Sequence, residues 1–277
     1  MPKKIKFTTE QIGDIINDYL INKLSSKEIS IKHNVSLWTI LRLLKRKNIK
    51  INNPSDCHKK YKINDDYFNK IDSEDKAYFL GLLFADGYND TKNNVASITL
   101  QSITLQSIDV NILNIFNYKL NSNKPLRNDR NYLRLVIENK KISNDLNKLG
   151  CIQAKTHKLK FPKLKSKYIR HFIRGYFDGD GCITWSKNKL IPQFSIVGNE
   201  SFLIEMQNIL IKNLGLNKTK FIKRHKERDN NITSLVYGSY GNCIKLYHYL
   251  YDNSNYFFDR KKNKFIEIFT ILNIKYD

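Results

Sequence analysis

Apolar side chains recur at helical spacing through the first fifty residues, and the polar positions between them mark where each helix starts. Thr8-Thr9-Glu10-Gln11 has the form of a capping box, and Ile12, Ile15, Ile16, Tyr19 and Leu20 follow on one face. Ser25-Ser26-Lys27-Glu28 repeats the box and opens a second helix that carries Ile29 and ends near His33-Asn34. Ser36 caps a third, predicted to turn Ile40, Leu41 and Leu44 inward and Trp38, Thr39, Arg42, Lys45 and Arg46 outward. Residues 50–71 are polar, contain Pro54 and read as a linker, which leaves 1–49 as a small helical domain. From Asp72 the pattern becomes mixed. Asn131–Glu138 alternates, with Leu133, Leu135 and Ile137 on one side and Tyr132, Arg134 and Val136 on the other, so a half-buried strand is predicted. Lys218–Arg224 and Asn231–Gly238 bracket an Asp229-Asn230 turn and predict a hairpin with a charged tip. Ser97–Gln101 is repeated at once as Ser102–Gln106; nothing continues it, so it reads as a local duplication and not a solenoid.

Charge changes this picture. Forty-eight Lys and Arg against twenty-six Asp and Glu leave a formal +22 on 277 residues. A globular protein this basic repels itself unless it meets a polyanion, so nucleic acid is the expected partner. Heavy use of Lys, Asn and Ile also suits an AT-rich coding genome, which would account for part of the excess. The cations are spread along the chain and not gathered beside an amphipathic anchor, which argues against a membrane surface. No apolar run of about 18 residues is present and the N-terminus lacks the apolar core of a secretory signal, so an intracellular protein without a membrane span is expected. Cys57, Cys151, Cys182 and Cys243 lie far apart with no zinc-module spacing and read as free thiols. The six His show no catalytic spacing.

The turn Asn34-Val35-Ser36 joins two helices, the second of them basic, in a helix-turn-helix pattern. The segment resembles the helix-turn-helix of resolvase-type and regulator proteins. Trp38, Thr39 and Arg42 are then candidates for touching bases, and Lys45 and Arg46 for touching the DNA backbone.

A repeat of longer period carries the chemistry. Phe79-Leu80-Gly81-Leu82-Leu83-Phe84-Ala85-Asp86-Gly87 reappears as Ile173-Arg174-Gly175-Tyr176-Phe177-Asp178-Gly179-Asp180-Gly181. Each is an apolar helix that ends in an acid and a glycine. Gly81 with Ala85, and Gly175 with Gly179, put small residues one turn apart on one face, which lets two helix backbones approach closely about a pseudo-twofold axis. Asp86 and Asp180 then fall at the C-terminal helix ends, with Gly87 and Gly181 expected to take left-handed caps. Each carboxylate opposes its helix dipole at a cost of roughly 0.3–1 kcal/mol. Two of them about 5 Å apart repel by on the order of 3 kcal/mol at an effective dielectric near 20. A divalent cation reverses the sign of both effects, and two acids with open positions suit Mg²⁺ held against phosphate oxygens.

These residues resemble the LAGLIDADG signature, and the two-motif form resembles the monomeric homing endonucleases, over about residues 72–277. The resemblance implies an α+β fold of two pseudo-symmetric αββαββα halves, 72–165 and 166–277, with saddle-shaped sheets straddling double-stranded DNA. It implies Asp86 and Asp180 as metal ligands, and cleavage across the minor groove to leave 3′ overhangs. The signature's earlier acid is present as Asp178 but is Phe84 in the first motif, which implies an asymmetric helix interface. Gly150–Thr156 and Phe258–Lys261 resemble the lysine-bearing segments that close each half, which points to Lys155 and Lys261 as transition-state stabilisers. Strand hairpins in the major groove would bring Arg127, Arg130 and Arg134 in one half, and Lys220, Lys223, Arg224, Lys226 and Arg228 in the other, to bases or phosphates. The reading is a site-specific, metal-dependent, monomeric endonuclease of a mobile element. Its alternatives are a non-cleaving DNA-binding regulator and an RNA maturase on the same scaffold. An intein is disfavoured by the Met1 start and the Lys275-Tyr276-Asp277 end.

Overall fold

The computed structural model describes residues 7–22, 24–51, 61–101, 109–129, 132–153, 158–186, 188–223 and 232–276. The chain divides into two compact units, Met1–Lys62 and Ile63–Asp277.

The first unit is three helices, α1 (Thr9–Leu20), α2 (Ser26–Lys32) and α3 (Leu37–Arg46). Both expected capping boxes form: Thr8 and Gln11 exchange side-chain-to-backbone bonds at α1, and Ser25 and Glu28 do so at α2. Ser36 Oγ accepts from Thr39 N at the start of α3. The turn before it is made by Asn34 at φ 49°, a left-handed conformation that Asn tolerates. Ile15, Tyr19, Ile29, Ile40, Leu43 and Leu44 form the core. Leu43, not the expected Leu41, is the buried partner of Ile40 and Leu44 on α3, because α1 and α2 cover that side of the helix. Asp18 is buried at the end of α1 and accepts from Lys32 Nζ at 2.7 Å and Asn22 Nδ2 at 3.0 Å.

The second unit opens on residues expected to be linker. Tyr67, Phe68 and Ile71 are buried in its core, with Tyr67 and Phe68 packed on Phe116 and the Tyr67 hydroxyl donating to Asp75 Oδ2 at 2.8 Å. Polar flanks hid three apolar anchors, and the second unit begins at Ile63, inside the segment expected to be linker.

Its elements run α4 (Glu74–Asp86), β1 (Gly87–Asp90), β2 (Val95–Gln101), α5 (Asp109–Lys119), β3 (Arg127–Asp129), β4 (Tyr132–Glu138) and α6 (Lys140–Lys148). The order then repeats as α7 (Ser166–Asp180), β5 (Gly181–Ser186), β6 (Ile191–Asn199), α8 (Glu200–Leu214), β7 (Ile222–Lys223), β8 (Ile232–Gly238) and α9 (Tyr240–Tyr251), followed by α10 (Asp259–Ile271). These are two αββαββα halves, as expected. Each half holds one antiparallel sheet, in the orders β1-β2-β4-β3 and β5-β6-β8-β7. Helices cover one face of each sheet. Leu135 and Ile137 of β4, and Phe194, Ile196, Leu235 and Tyr237 of the second sheet, are buried against them. Val136, expected on the solvent side, is also buried, and so is Ser97, its register partner on β2. The expected hairpin forms as β7 paired with β8; its charged tip, 224–231, lies outside the described residues. Among the described residues, Cys151, Cys182 and Cys243 are free thiols, and no helix is long and apolar enough to cross a membrane.

Candidate functional site

The site is built on the crossing of α4 and α7. A Cβ on Gly81 would lie 2.1 Å from the Phe172 carbonyl oxygen, and one on Gly175 would lie 2.0 Å from that of Tyr78. Nothing larger than hydrogen fits at either position, so the backbones touch where the small residues predicted contact. One turn later, a Cβ on Gly179 would meet the Ala85 Cβ at 2.4 Å and Asp86 Oδ2 at 2.9 Å. The Asp86 carboxylate therefore lies over the residue that precedes Asp180. Asp86 is exposed and Asp180 half-buried, each the last residue of its helix.

Gly87 and Gly181 are not left-handed caps. Their φ/ψ values are −82°/156° and −95°/161°, extended backbone that leads straight into β1 and β5. They are glycines for lack of space. A Cβ on Gly87 would meet the Leu83 carbonyl oxygen at 2.4 Å, and one on Gly181 would meet Phe177 Cδ2 at 2.1 Å.

Two further side chains converge on the acids. Tyr176 is buried and its hydroxyl donates to the Val197 carbonyl at 3.0 Å. Burial holds this phenol well above its ordinary pKa, and the Asp180 charge and hydrogen bond and the Asp86 charge push it the same way. One hydroxyl thus feels both carboxylates. Lys261, in the first turn of α10, donates to the Gly181 carbonyl, and its ammonium lies 5.3 Å from the Phe177 ring centroid. Burial and Arg260 lower its pKa, while Asp178, Cys182 and Asp86 oppose that shift. Lys155, its expected counterpart, lies outside the described residues.

Asp178, the signature's earlier acid, serves the position of Lys261. It is fully buried, and its Oδ2 accepts from the Tyr78 hydroxyl at 2.7 Å and from the Phe258 amide at 2.8 Å. Phe258 is the N-cap of α10, so this bond fixes where the Lys261 turn begins. Burial raises the Asp178 pKa to about 7 against those hydrogen bonds. Further along α7, Arg174 is wholly buried. It donates to Tyr256 O at 2.6 Å, Leu250 O at 2.9 Å and Glu74 Oε1 at 2.7 Å. Glu74 also accepts from the Asn255 backbone and side chain. The apolar pattern of the α7 motif shows neither this network nor the role of Tyr176. The signal was an Arg in a run that otherwise buries.

Among the described residues, no group of three or more His, Cys, Asp or Glu gathers as a metal cage. The donor set at the helix ends is two carboxylates, hard oxygen ligands of the kind that a divalent cation takes.

The strand candidates divide. Arg127 and Arg134 are register partners on the sheet face that the helices leave uncovered, and Arg127 also pairs with Glu138 at 3.4 Å. Like charges opposite one another weaken a sheet unless an anion bridges them. Arg130, Arg224, Lys226 and Arg228 lie outside the described residues. Lys223 is in register with buried Thr233 and shares its helix-side face, and with Lys220 it lines a groove of about 480 Å³ beside α8. Neither lysine is on the uncovered face of the second sheet. That face carries Thr184, Gln193 and Ser195 instead, short hydrogen-bonding groups that alternate with buried Ile183, Phe194 and Ile196. They carry no charge, and the period-two alternation of the strands is the signal that marks them. In the first unit, Trp38, Arg42, Lys45 and Arg46 are exposed along α3 and Thr39 is half-buried.

Residues 167–248 match the family model of the LAGLIDADG-like domain. No curated protein sequence matches the chain. Solved structures similar to it include the LAGLIDADG meganuclease I-AabMI bound to uncleaved DNA, at 11% identity over 71% of this chain and 90% of that one, with a TM-score of 0.47. The meganuclease I-SmaMI, bound to uncleaveable DNA, is 12% identical over 71% and 89%, with a TM-score of 0.45. Full-length DUF199/WhiA from Thermatoga maritima is 16% identical over 75% and 64%, with a TM-score of 0.45.

Proposed function

Taking residues 167–248 as the LAGLIDADG-like domain they match, we propose that the protein is a site-specific, metal-dependent endonuclease of double-stranded DNA, of the homing type. One observation carries the reading: Asp86 and Asp180 end two helices in contact, with the Asp86 carboxylate over Gly179. Stability alone would not place two acids together at the negative ends of helix dipoles. Asp86 and Asp180 would hold Mg²⁺. When bound, that ion supplies Lewis acidity toward a phosphodiester and lowers the pKa of coordinated water.

The other residues act by placement. Lys261, aimed at the Gly181 carbonyl beside Asp180, offers positive charge where a pentacovalent phosphate gathers negative charge. Asp178 holds the Phe258 amide and so sets the Lys261 turn. Tyr176 is buried on the helix that Asp180 ends, and its hydroxyl donates to the Val197 carbonyl and so ties α7 to β6. Lys155 is proposed as the partner of Lys261 in the first half. Arg127, Arg134, Thr184, Gln193 and Ser195 are the described groups best placed to meet the duplex. The first unit is proposed as a helix-turn-helix that extends the footprint, since a tethered second contact raises effective concentration. A monomer suffices, because one chain carries both acids.

Break mapping tests this. Purified protein with Mg²⁺ and AT-rich source DNA should give one or a few reproducible breaks with 3′ overhangs. The Asp86→Asn/Asp180→Asn double variant should bind the same sites and lose cutting by a factor of at least about 100. Full activity in the double variant would sink the proposal. Discrete, salt-sensitive protection without breaks would identify a DNA-binding regulator, and tight intron-RNA binding without breaks a maturase.

A further inference from the structure

The first turn of α3 faces solvent with apolar side chains. Trp38 is 71% exposed and Leu37 40%. The hydroxyls beside them are engaged locally: Ser36 Oγ lies 2.9 Å from Thr39 Oγ1 and also accepts from the Thr39 amide. Charge arrives later on the helix, as Arg42 one turn on and Lys45 and Arg46 in the last turn, followed by Lys47. No acid interrupts residues 37–47. Trp38 does not pack into the core of Ile15, Tyr19, Ile29, Ile40, Leu43 and Leu44, so the fold of this unit does not require it.

An exposed apolar tip on a cationic stem needs a partner that is both anionic and locally apolar. Charge selects a polyanion over an apolar protein surface. In a helix-turn-helix, the N-terminal residues of the second helix reach base edges. Of the groups that bases display in the major groove, the thymine C5-methyl is the apolar one. The Arg, Lys, Asn or Gln that would read guanine or adenine is missing from this first turn.

We propose that Trp38, with Leu37 beside it, reads thymine methyl groups in the major groove, while Arg42, Lys45 and Arg46 hold the flanking phosphates. This rests on the DNA-binding part of the function proposed above. It gives the small unit a preference for thymine-bearing steps through apolar contact and not through a hydrogen-bond code.

The test uses the full chain. Duplexes retained from a randomised pool are resynthesised with each thymine replaced in turn by uracil, which removes only the methyl. At one cluster of thymines, binding should weaken roughly fourfold per methyl removed. Trp38→Ala should bind the thymine and uracil forms of that cluster equally, with a melting curve unchanged from the parent. Arg42→Ala should bind every duplex more weakly and keep the preference for thymine. Equal binding of thymine and uracil duplexes by the parent protein would overturn the inference and leave DNA binding intact. So would a preference that survives Trp38→Ala. If no duplex is retained at all, the DNA-binding reading falls and this inference falls with it.

Discussion

At the crossing of α4 and α7 the two halves present matching backbones and unmatched side chains. Gly81 and Gly175 sit within 2.1 Å and 2.0 Å, measured from an added Cβ, of each other's helix carbonyls, and the sheets that follow share one strand order. Around them Ala77, Leu80, Leu82 and Phe84 of α4 correspond in the repeat to His171, Arg174, Tyr176 and Asp178 of α7. The first set packs. In the second, Arg174 bonds Glu74 and lies over the Tyr78 ring, Asp178 accepts from the Tyr78 hydroxyl and the Phe258 amide, and Tyr176 bonds the Val197 carbonyl. Phe84 and Asp178 nonetheless do similar work. Phe84 Cζ lies 3.3 Å from where a Gly150 Cβ would be, and so supports the segment leading toward Lys155; Asp178 bonds the residue that starts the Lys261 turn. Contact between backbones dictates the small residues, and the proposed chemistry dictates the terminal acids. Between those constraints, packing in one half and hydrogen bonds in the other hold equivalent segments in place.

The same replacement at equivalent positions should break this comparison most visibly. Arg174→Met strips donors from the Tyr256 and Leu250 carbonyls and leaves Glu74 short of its cation, at a cost on the order of 3–5 kcal/mol. Leu80→Met conserves volume in an apolar setting and should cost less than about 1.5 kcal/mol. Urea denaturation measures both, and equal losses would mean the polar chain adds nothing beyond volume.

The shared backbone makes a second prediction in the opposite sense. Gly81→Ala and Gly175→Ala should each lose about 3 kcal/mol and should match one another, because each drives a Cβ into the partner helix carbonyl. A large difference between the two melting curves would show that one side of the crossing yields and the pseudo-symmetry is superficial.

A smaller effect depends on pH. Burial, then the Arg174 charge, lower His171 from an ordinary 6.5 to about 4, against the opposing pull of Glu74. The unfolded chain therefore takes up this proton at a pH where the folded protein refuses it. Stability present above pH 6.5 should be lost as the pH falls from 6.5 to 4. His171→Gln should remove that part of the acid sensitivity, making it resemble the first half, where buried Ala77 cannot titrate. Denaturation midpoints at pH 7.5 and 5 give the readout, and a parallel fall in parent and variant would rule the histidine out.

Features set by neighbours along the chain are legible in the sequence. The two capping boxes, the Asn34 turn, the repeated αββαββα order and the small residues of the motif helices all form as the residues predict. Features set by distant packing are not. Tyr67 and Phe68 sit in a polar stretch that looks like linker, yet they anchor the larger unit on Phe116. Gly87 and Gly181 look like caps because glycine after a helix usually is one; here Leu83 and Phe177 fill the space a side chain would need. Lys223 looks like a groove reader, but its register with Thr233 turns it toward α8.

What the sequence determined by itself was where helices begin, which faces can touch, and that two acids end matching helices. Each of these follows from residues within a turn or two of one another, where local hydrogen bonding and side-chain size decide. Only the tertiary structure decided that the Tyr176 hydroxyl bonds Val197, that Lys261 reaches Gly181, and that Asp178 holds Phe258. Those groups come from segments up to about 80 residues apart, and hydrogen bonds act only at about 3 Å, a distance that folding alone sets.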